Sequence, residues 1–190
     1  MKRYRRLFVP GGTYFFTVIT NRRIGIFADD AAREILKAAW KKTAEERPFE
    51  TVAFCLLPDH LHCVWTLPDG DAHYPARWTA IKCLFTRMYK ENGGIRSRPT
   101  KGRVRRLAAQ SGGYSGIWQK RYWEHVIRDE TDFQKHVDYI HYNPVKHGLA
   151  KRPADWEWST FRKYVSQGVY DNSWGESPLE WPEEFGDVCD

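Results

Sequence analysis

The order of strand and helix patterns constrains the fold of this chain more than any other feature of its sequence. Residues 14–20 are dense in aromatic and β-branched side chains, and residues 49–57 and 61–67 give two more strand patterns joined by a short Pro-Asp turn. Residues 29–46 and 75–90 instead carry apolar side chains at helical spacing. The chain therefore begins with a strand, a helix, two strands and a second helix.

A fourth strand and a third helix follow. Residues 117–127 form a strand region rich in Trp and Tyr, and the segment from Thr131 to Gln134 matches a capping box at the start of a helix. Pro144 is expected to end that helix, because proline disfavours helical backbone at the residue before it. A short helix is predicted near residues 159–167, in an otherwise irregular C-terminal extension. This order of elements predicts an α+β fold.

Charge is distributed unevenly along the chain. There are 30 Lys and Arg residues against 24 Asp and Glu residues, a net charge of +6. Residues 171–190 contain seven acids and no base, so residues 1–170 carry a net charge of +13. A basic body indicates a polyanionic partner, and nucleic acid is the first candidate. Aromatic residues make up 15% of the chain and could stack on unpaired bases.

Two classes of protein are excluded. The chain has no run of about 18 apolar residues, so no membrane span is expected. Its four cysteines lack CxxC spacing, which indicates neither a zinc ribbon nor a disulfide framework. We expect a cytoplasmic protein with reduced thiols.

Two histidines stand out at the start of the third predicted strand. Side chains alternate across a strand, so His60 and His62 point to the same face, about 7 Å apart at their Cα atoms. Two imidazoles at this separation can converge on one divalent metal ion. The alternative for so short a motif is a pair of histidines on a half-exposed strand. Leu61, Cys63 and Trp65 face the other way and are expected in the core.

The last long helix presents a second set of polar side chains. His136, Tyr139 and Asn143 recur at intervals of three and four residues, so they share one helical face beside the apolar stripe. Tyrosine is a weak nucleophile at its free pKa of about 10 and needs an activated electrophile. A metal ion would activate a phosphate by drawing charge from one of its oxygens. Taken alone, a helical tyrosine is explained more simply by core packing.

Two basic segments are candidates for DNA contact. Residues 117–128 combine aromatic rings with cations, a mixture suited to a strand beside a nucleic-acid groove. The same composition fits an aromatic strand with solvated cations equally well. Residues 93–116 hold six glycines and six basic residues and are predicted to form a long flexible loop, which could grip DNA or be disordered.

Together these motifs resemble those of the REP-associated tyrosine transposases, a family of the HUH superfamily of single-strand nucleases with one catalytic tyrosine. The resemblance covers about residues 4–165. The motifs that carry it, in the order expected for the family, are Gly11-Gly12-Thr13, the HxH motif within residues 58–65, Trp118-Gln119, and residues 136–148.

The resemblance implies a ferredoxin-like (RRM-like) β-α-β-β-α-β core with an antiparallel sheet, and an additional helix that carries the catalytic tyrosine. Tyr139 would be the nucleophile, and His60 and His62 would be ligands of Mg²⁺ or Mn²⁺. Related transposases often place a glutamine ligand four residues after the tyrosine, where this chain has Asn143. We assign DNA binding to twelve residues: Arg5, Arg6, Gly11, Gly12, Thr13, Arg96, Arg98, Arg103, Trp118, Gln119, Arg121 and His136.

The implied reaction is the cleavage and rejoining of single-stranded DNA beside repetitive extragenic palindromic (REP) hairpins. Tyr139 would attack the scissile phosphate and leave a free 3′-OH and a 5′-phosphotyrosine, from which a second 3′-OH would rejoin the strand. Two other classes stay open. One is a non-catalytic module that reads single strands through aromatics of its sheet. The other is a metal-dependent hydrolase that activates water and forms no adduct.

We expect one transposase domain over residues 1–165 and an acidic tail over residues 166–190. The tail could fold over the DNA groove and restrain activity, or it could simply be solvated. The expected partner is hairpin DNA in the nucleoid, with no membrane association. The protein is expected to be a monomer or a homodimer.

Overall fold

A four-stranded antiparallel sheet forms the centre of the fold. The computed structural model describes residues 6–94 and 116–177. Within them the strands are β1 (Thr13–Ile19), β2 (Glu50–Leu56), β3 (His60–Thr66) and β4 (Trp123–Val126). The helices are α1 (Asp30–Glu46), α2 (Tyr74–Glu91), α3 (Glu130–Lys146) and α4 (Phe161–Ser166). The predicted order of elements and the antiparallel α+β class are confirmed.

The strands lie in the order β2-β3-β1-β4, so β3 and β1 are central and β2 and β4 form the edges. β1 pairs with β3 along its whole length, with Ile19 opposite His60 and Thr17 opposite His62. On its other side β3 pairs with β2 in a tight hairpin. The two histidines therefore start a strand that is held by neighbours on both sides.

The helices form two layers. α1 and α2 cover one face of the sheet around a core that includes Leu61, Cys63 and Trp65, the residues predicted to face inward. The indole rings of Trp65 and Trp78 stack there with centroids 4.3 Å apart. α3 and α4 cover the opposite face. Because side chains alternate along β3, its histidines face the α3 layer.

α3 does not begin where the capping pattern predicts. Its N-cap is Asp129, whose carboxylate accepts a hydrogen bond from the backbone N–H of Asp132 at 2.8 Å. The capping box starting at Thr131 is therefore wrong by two residues. Aspartate is as good a cap as threonine, so the sequence offers two starts and packing selects the earlier one.

Pro144 does not end α3, contrary to the prediction. The helix continues to Lys146, and the N–H of Leu149 closes its end by donating to the Pro144 carbonyl at 2.8 Å. A proline in the last turn removes only one helical hydrogen bond. Asn143 and Pro144 are buried in this layer, and their packing outweighs the local preference against helix.

The strand region predicted over residues 117–127 is mostly irregular. Only Trp123–Val126 is a strand, paired with β1, while Trp118 makes an isolated bridge to Thr20. A single strand of aromatic residues therefore does not run from Trp118 to the sheet edge. The intervening backbone instead leads from the core into β4.

None of the helices within residues 6–94 and 116–177 is long and apolar enough to cross a membrane. Cys55, Cys63 and Cys83 are free thiols, and Cys189 lies outside the described residues. Most of the predicted basic loop (93–116) and most of the predicted acidic tail (166–190) also lie outside them.

We expect the protein to lose stability in mild acid because of His141 on α3. Burial lowers the pKa of this ring to about 3. In the unfolded chain the ring takes up a proton near pH 6.5, whereas in the folded protein it stays neutral until the pH approaches 3. The stability of the folded state is therefore unaffected by this group above pH 6.5 and decreases as the pH falls towards 3. The free energy of unfolding should decrease by about 1.4 kcal/mol per pH unit below about 6 from this group alone.

The measurement is urea unfolding at pH 7.0 and pH 5.0 for the native protein and for His141→Gln. The glutamine variant keeps a polar group for the Thr160 hydroxyl, which lies 2.9 Å from Nε2 of His141, but cannot titrate. The loss of stability between the two pH values should be about 2 kcal/mol smaller in the variant. An equal loss in both proteins would contradict the assignment to His141.

Candidate active site

Two histidines of β3 meet a tyrosine of α3 between the sheet and the helix. The His60 and His62 rings lie with centroids 4.9 Å apart, and the His62 and Tyr139 rings lie 5.3 Å apart, both pairs edge to face. All three residues are at most 3% exposed. The three residues that the sequence singles out for metal binding and nucleophilic attack are therefore in one place.

Hydrogen bonds orient both imidazoles. Nδ1 of His60 lies 2.6 Å from a carboxylate oxygen of Asp59, and Nδ1 of His62 lies 2.9 Å from the hydroxyl of Thr17. With Nδ1–H donating to Asp59, the lone pair of the neutral His60 ring is on Nε2. The same holds for His62 when the Thr17 hydroxyl accepts. This pattern is the one that prepares a histidine to bind a metal ion through Nε2.

Four buried polar atoms, of the two histidines and of Asn143 one helical turn after Tyr139, have no hydrogen-bond partner within residues 6–94 and 116–177. They are Nε2 of His60, Nε2 of His62, and the side-chain oxygen and nitrogen of Asn143. A buried polar atom without a partner costs about 1–3 kcal/mol, so such a group is unusual without a function. Imidazole nitrogens and an amide oxygen are ligand types that a divalent metal ion accepts, and a bound ion would give such atoms a partner.

The electrostatics of the site keep His62 neutral. Burial is the main cause that holds the pKa of His62 well below its ordinary value of 6.5, and the nearby positive charges of Lys146 and Arg23 lower it further. His62 is thus uncharged at pH 7, and a neutral imidazole is the form that binds a metal ion.

Two neighbours of the site were missed by sequence reasoning. Nζ of Lys146 donates a hydrogen bond to the Tyr139 hydroxyl at 3.3 Å and lies 4.8 Å from the centre of its ring. The ring of His147 packs edge to face on His60 at 5.2 Å. Lys146 is seven residues after Tyr139, which is two helical turns. This spacing predicts a contact between them only if α3 continues past Pro144.

A second cluster ties the start of α3 to β4. The carboxylate of Asp132 accepts hydrogen bonds from Nε2 of His125 at 2.8 Å and from the backbone and side chain of Arg128. Burial opposes ionisation of Asp132, but these bonds lower its pKa to about 2. The ring of His136 stacks on His125 at 4.6 Å.

The ligand atoms of His125, Asp132 and His136 lie within 4.8 Å of one another, so this cluster is also a possible metal site. Nδ1 of His136 lies 2.7 Å from the backbone carbonyl of Asp132, so when this nitrogen donates there only Nε2 of the ring is open to a metal ion. We interpret the cluster as a hydrogen-bond network that anchors α3 one turn before Tyr139.

Gly11 and Gly12, both assigned to DNA contact, form a turn before β1, which begins at Thr13. Gly11 has φ of +68°, and its N–H donates to the carbonyl of Asp71 at 2.9 Å. A Cβ at Gly12 would lie 2.8 Å from the carbonyl oxygen of Val9. The Thr13 and Thr66 hydroxyls are hydrogen-bonded, 2.9 Å apart. Both glycines thus have a backbone role, and DNA contact at these positions stays a prediction.

Five of the remaining DNA-binding assignments lie within the described residues, and they differ in exposure. Arg6 pairs with Glu124 at 3.1 Å, and Trp118 is 4% exposed and packs on Phe27 and Phe85 in the α1–α2 core. His136 is buried in the second cluster, Gln119 is half-buried and Arg121 is exposed. Four assigned residues lie outside the described residues: Arg5, Arg96, Arg98 and Arg103.

Comparisons with known proteins give two relatives that match over nearly the whole chain. The REP-associated tyrosine transposase of Escherichia coli is 40% identical over 191 residues, which is 100% of this chain and 94% of that protein. A Haemophilus influenzae protein assigned to the same class is 42% identical over 178 residues, 94% of this chain and 96% of its own. No family model matches the chain.

A solved structure is also similar. It is that of a REP-associated tyrosine transposase bound to a REP hairpin, with a TM-score of 0.76 and 39% sequence identity, covering 95% of both chains.

Proposed function

This chain belongs to the REP-associated tyrosine transposases, and from that membership we propose that it cleaves and rejoins single-stranded DNA beside palindromic hairpins. We propose Tyr139 as the nucleophile and His60, His62 and Asn143 as ligands of Mg²⁺ or Mn²⁺. The observation that carries the proposal is the pair of buried, unpartnered histidine nitrogens beside the buried tyrosine.

The proposed reaction is a transesterification. The Tyr139 hydroxyl oxygen attacks the scissile phosphorus, a new P–O bond forms to the tyrosine, and the bond from phosphorus to the 3′ oxygen breaks. The phenol proton is lost and the departing 3′ oxygen gains one, so the products are a 3′-OH and a 5′-phosphotyrosine. The number of phosphodiester bonds is unchanged, so a second 3′-OH can reverse the step without ATP.

The chain's own residues prepare this attack. Lys146 donates to the Tyr139 oxygen at 3.3 Å, which holds the phenol in place and favours its anionic form as the proton leaves. Asp59 and Thr17 fix the orientation of the two imidazoles. A bound divalent ion would supply charge withdrawal from a phosphate oxygen, and His60, His62 and Asn143 would hold it.

We propose a REP-type hairpin as the substrate, because the similar solved structure is of a relative bound to one. A ferredoxin-like class for the core is part of the same proposal, and it is supported by the element order β-α-β-β-α-β with strand order β2-β3-β1-β4. We further propose one catalytic domain over residues 1–165 that acts at the nucleoid.

The test is incubation of the protein with an end-labelled hairpin that carries single-stranded flanks, with Mn²⁺ and with a chelator in parallel. We expect a slowly migrating, protease-sensitive adduct that forms only with the metal. Cleavage without an adduct would instead identify a hydrolase that activates water. Binding that is insensitive to the chelator, with no cleavage, would identify a binding module. Either outcome would overturn the proposal.

A further inference from the structure

A groove of about 420 Å³ lies between α1 and residues 157–160, along the edge of β2. Trp40, Phe54 and Trp158 line it, and all three are only partly buried. Aromatic rings that line a concave surface are a common feature of ligand sites. The groove is on the sheet face opposite Tyr139, so the active site does not account for it.

The aromatic walls are fixed in place. Nε1 of Trp40 donates to the Thr51 hydroxyl at 3.0 Å, and the Trp40 and Phe54 rings pack edge to face at 5.1 Å. The backbone carbonyl of Trp158 accepts from the N–H of Leu56 at 2.8 Å, which holds the third ring against β2. A groove with prearranged walls loses little conformational entropy when a flat ring enters it.

The rim is basic on the α1 side. Arg33, Lys37 and Lys41 line the groove at four-residue intervals, which places them about 6 Å apart along the helix. The side chain of Lys37 is 68% exposed and pairs with Glu34 at 3.4 Å, and the Arg33 guanidinium lies 5.2 Å from the centre of the Trp158 ring. Aromatic walls beside a row of cations are the combination that holds single-stranded nucleic acid, with bases on the rings and phosphates on the cations.

The groove runs along β2 from Thr51 to Leu56, so one of its ends lies at the histidine end of the sheet. Leu56 lines the groove and pairs across the hairpin with Leu61, the residue after His60. The outer side of β2 is covered by residues 158–160, since Cys55 bridges to Ser159 and the N–H of Thr160 donates to the Phe54 carbonyl at 2.9 Å. A DNA strand that runs from Tyr139 to the groove would have to pass around this covered edge.

We propose that the groove binds one unpaired nucleobase of the single-stranded DNA that flanks the hairpin, with the adjoining phosphates on Lys37 and Lys41. This inference rests on the proposed function, since it assigns a place to part of the same substrate. It adds a base-binding position on the opposite face of the sheet. The flank would then be held on both sides of the β2 edge.

The first experiment locates the base directly. A hairpin with 5-iodouracil at successive positions of each flank is bound to the native protein in the presence of a chelator and irradiated. We expect at least one flank position to cross-link to a peptide that contains Trp40, Phe54 or Trp158. Cross-links that map only to other peptides, at every position, would overturn the proposal.

The second experiment uses substitutions on the exposed rim, which leave the core intact. In Lys37→Glu/Lys41→Glu, affinity for the flanked hairpin should fall about tenfold more than affinity for the same hairpin without flanks. The slope of log K against log salt should decrease by about two for the flanked hairpin. Lys135→Glu/Lys151→Glu is the matched control, because it makes the same charge change at exposed positions elsewhere.

An equal loss in the control pair would show that only the overall charge matters, and would overturn the proposal. An unchanged affinity in the rim variant would also overturn the proposal, and would indicate that the groove binds another protein or another part of this chain. Failure of the proposed function can be distinguished from failure of the groove proposal. In the first case the Tyr139 adduct is missing while the flank still cross-links to the groove. A Tyr139 adduct without the cross-link would contradict only the groove.

Discussion

Tyr139→Phe is expected to abolish the covalent protein–DNA adduct and to reduce strand cleavage by about 10⁴-fold or more, as removal of a catalytic nucleophile does. The substitution deletes one oxygen atom from a ring that is 3% exposed and packed on His62, so the fold should not change. Hairpin affinity should stay within about twofold of the native value, because the Tyr139 oxygen forms its bond to phosphorus only during the reaction. The measurements are adduct yield in a denaturing gel and hairpin affinity by fluorescence anisotropy.

Tyr142→Phe is the matched control for this experiment. Tyr142 is also a buried tyrosine of α3, but its ring packs on Trp174 at 6.4 Å, away from the histidines. We expect this variant to form the adduct at close to the native rate. Loss of the adduct in Tyr142→Phe, or its persistence in Tyr139→Phe, would show that Tyr139 is not the nucleophile.

Periodicity in the sequence was sufficient to place the central residues of the site. Alternation along a strand put His60 and His62 on one face, and helical spacing put Tyr139 and Asn143 on one face of α3. Both kinds of spacing are local properties of the backbone, so they can be read from the sequence without knowledge of the tertiary structure. The structure adds that these two faces lie against each other.

The partners that orient the site could not be predicted, because they depend on strand register and on a helix end. Thr17 reaches His62 only because β1 pairs with β3 in the observed register. Lys146 reaches Tyr139 only because α3 continues past Pro144, where the local rule predicts an end. Packing decides both features.

Composition predicted a nucleic-acid partner but did not separate surface aromatic residues from core ones. Trp118 lies in a segment rich in cations and aromatics, yet its ring is buried under α2. Trp40 and Trp158 are separated by more than 100 residues of sequence and meet only in the folded chain. A tryptophan that packs and a tryptophan that stacks on a base look alike in sequence, and only exposure distinguishes them.

Asn143→Leu is expected to stabilise the metal-free protein while it weakens metal binding. Asn143 is fully buried, and neither of its side-chain polar atoms has a partner among the described residues. Leucine has nearly the same shape and no polar atom, so the free energy of unfolding should rise by about 1–3 kcal/mol. Thermal unfolding in a chelator should show this as an increase of several degrees. If Asn143 is a ligand, the rise in melting temperature that Mn²⁺ gives the native protein should shrink or disappear in this variant, because the amide oxygen is gone.

Asn143→Asp distinguishes a ligand from a residue that merely packs poorly, since the two roles predict opposite responses. A carboxylate buried in place of the amide should lower the melting temperature in a chelator, because an unpaired buried charge is costly. Mn²⁺ should then raise it by more than in the native protein, because an anionic oxygen binds the ion more strongly than an amide does. If Asn143→Leu keeps the full Mn²⁺ shift, or if Asn143→Asp gains none, Asn143 is not a ligand and the site is limited to its histidines. The opposite signs in the two variants would show that the chain gives up stability at this position in order to hold a metal ion beside Tyr139.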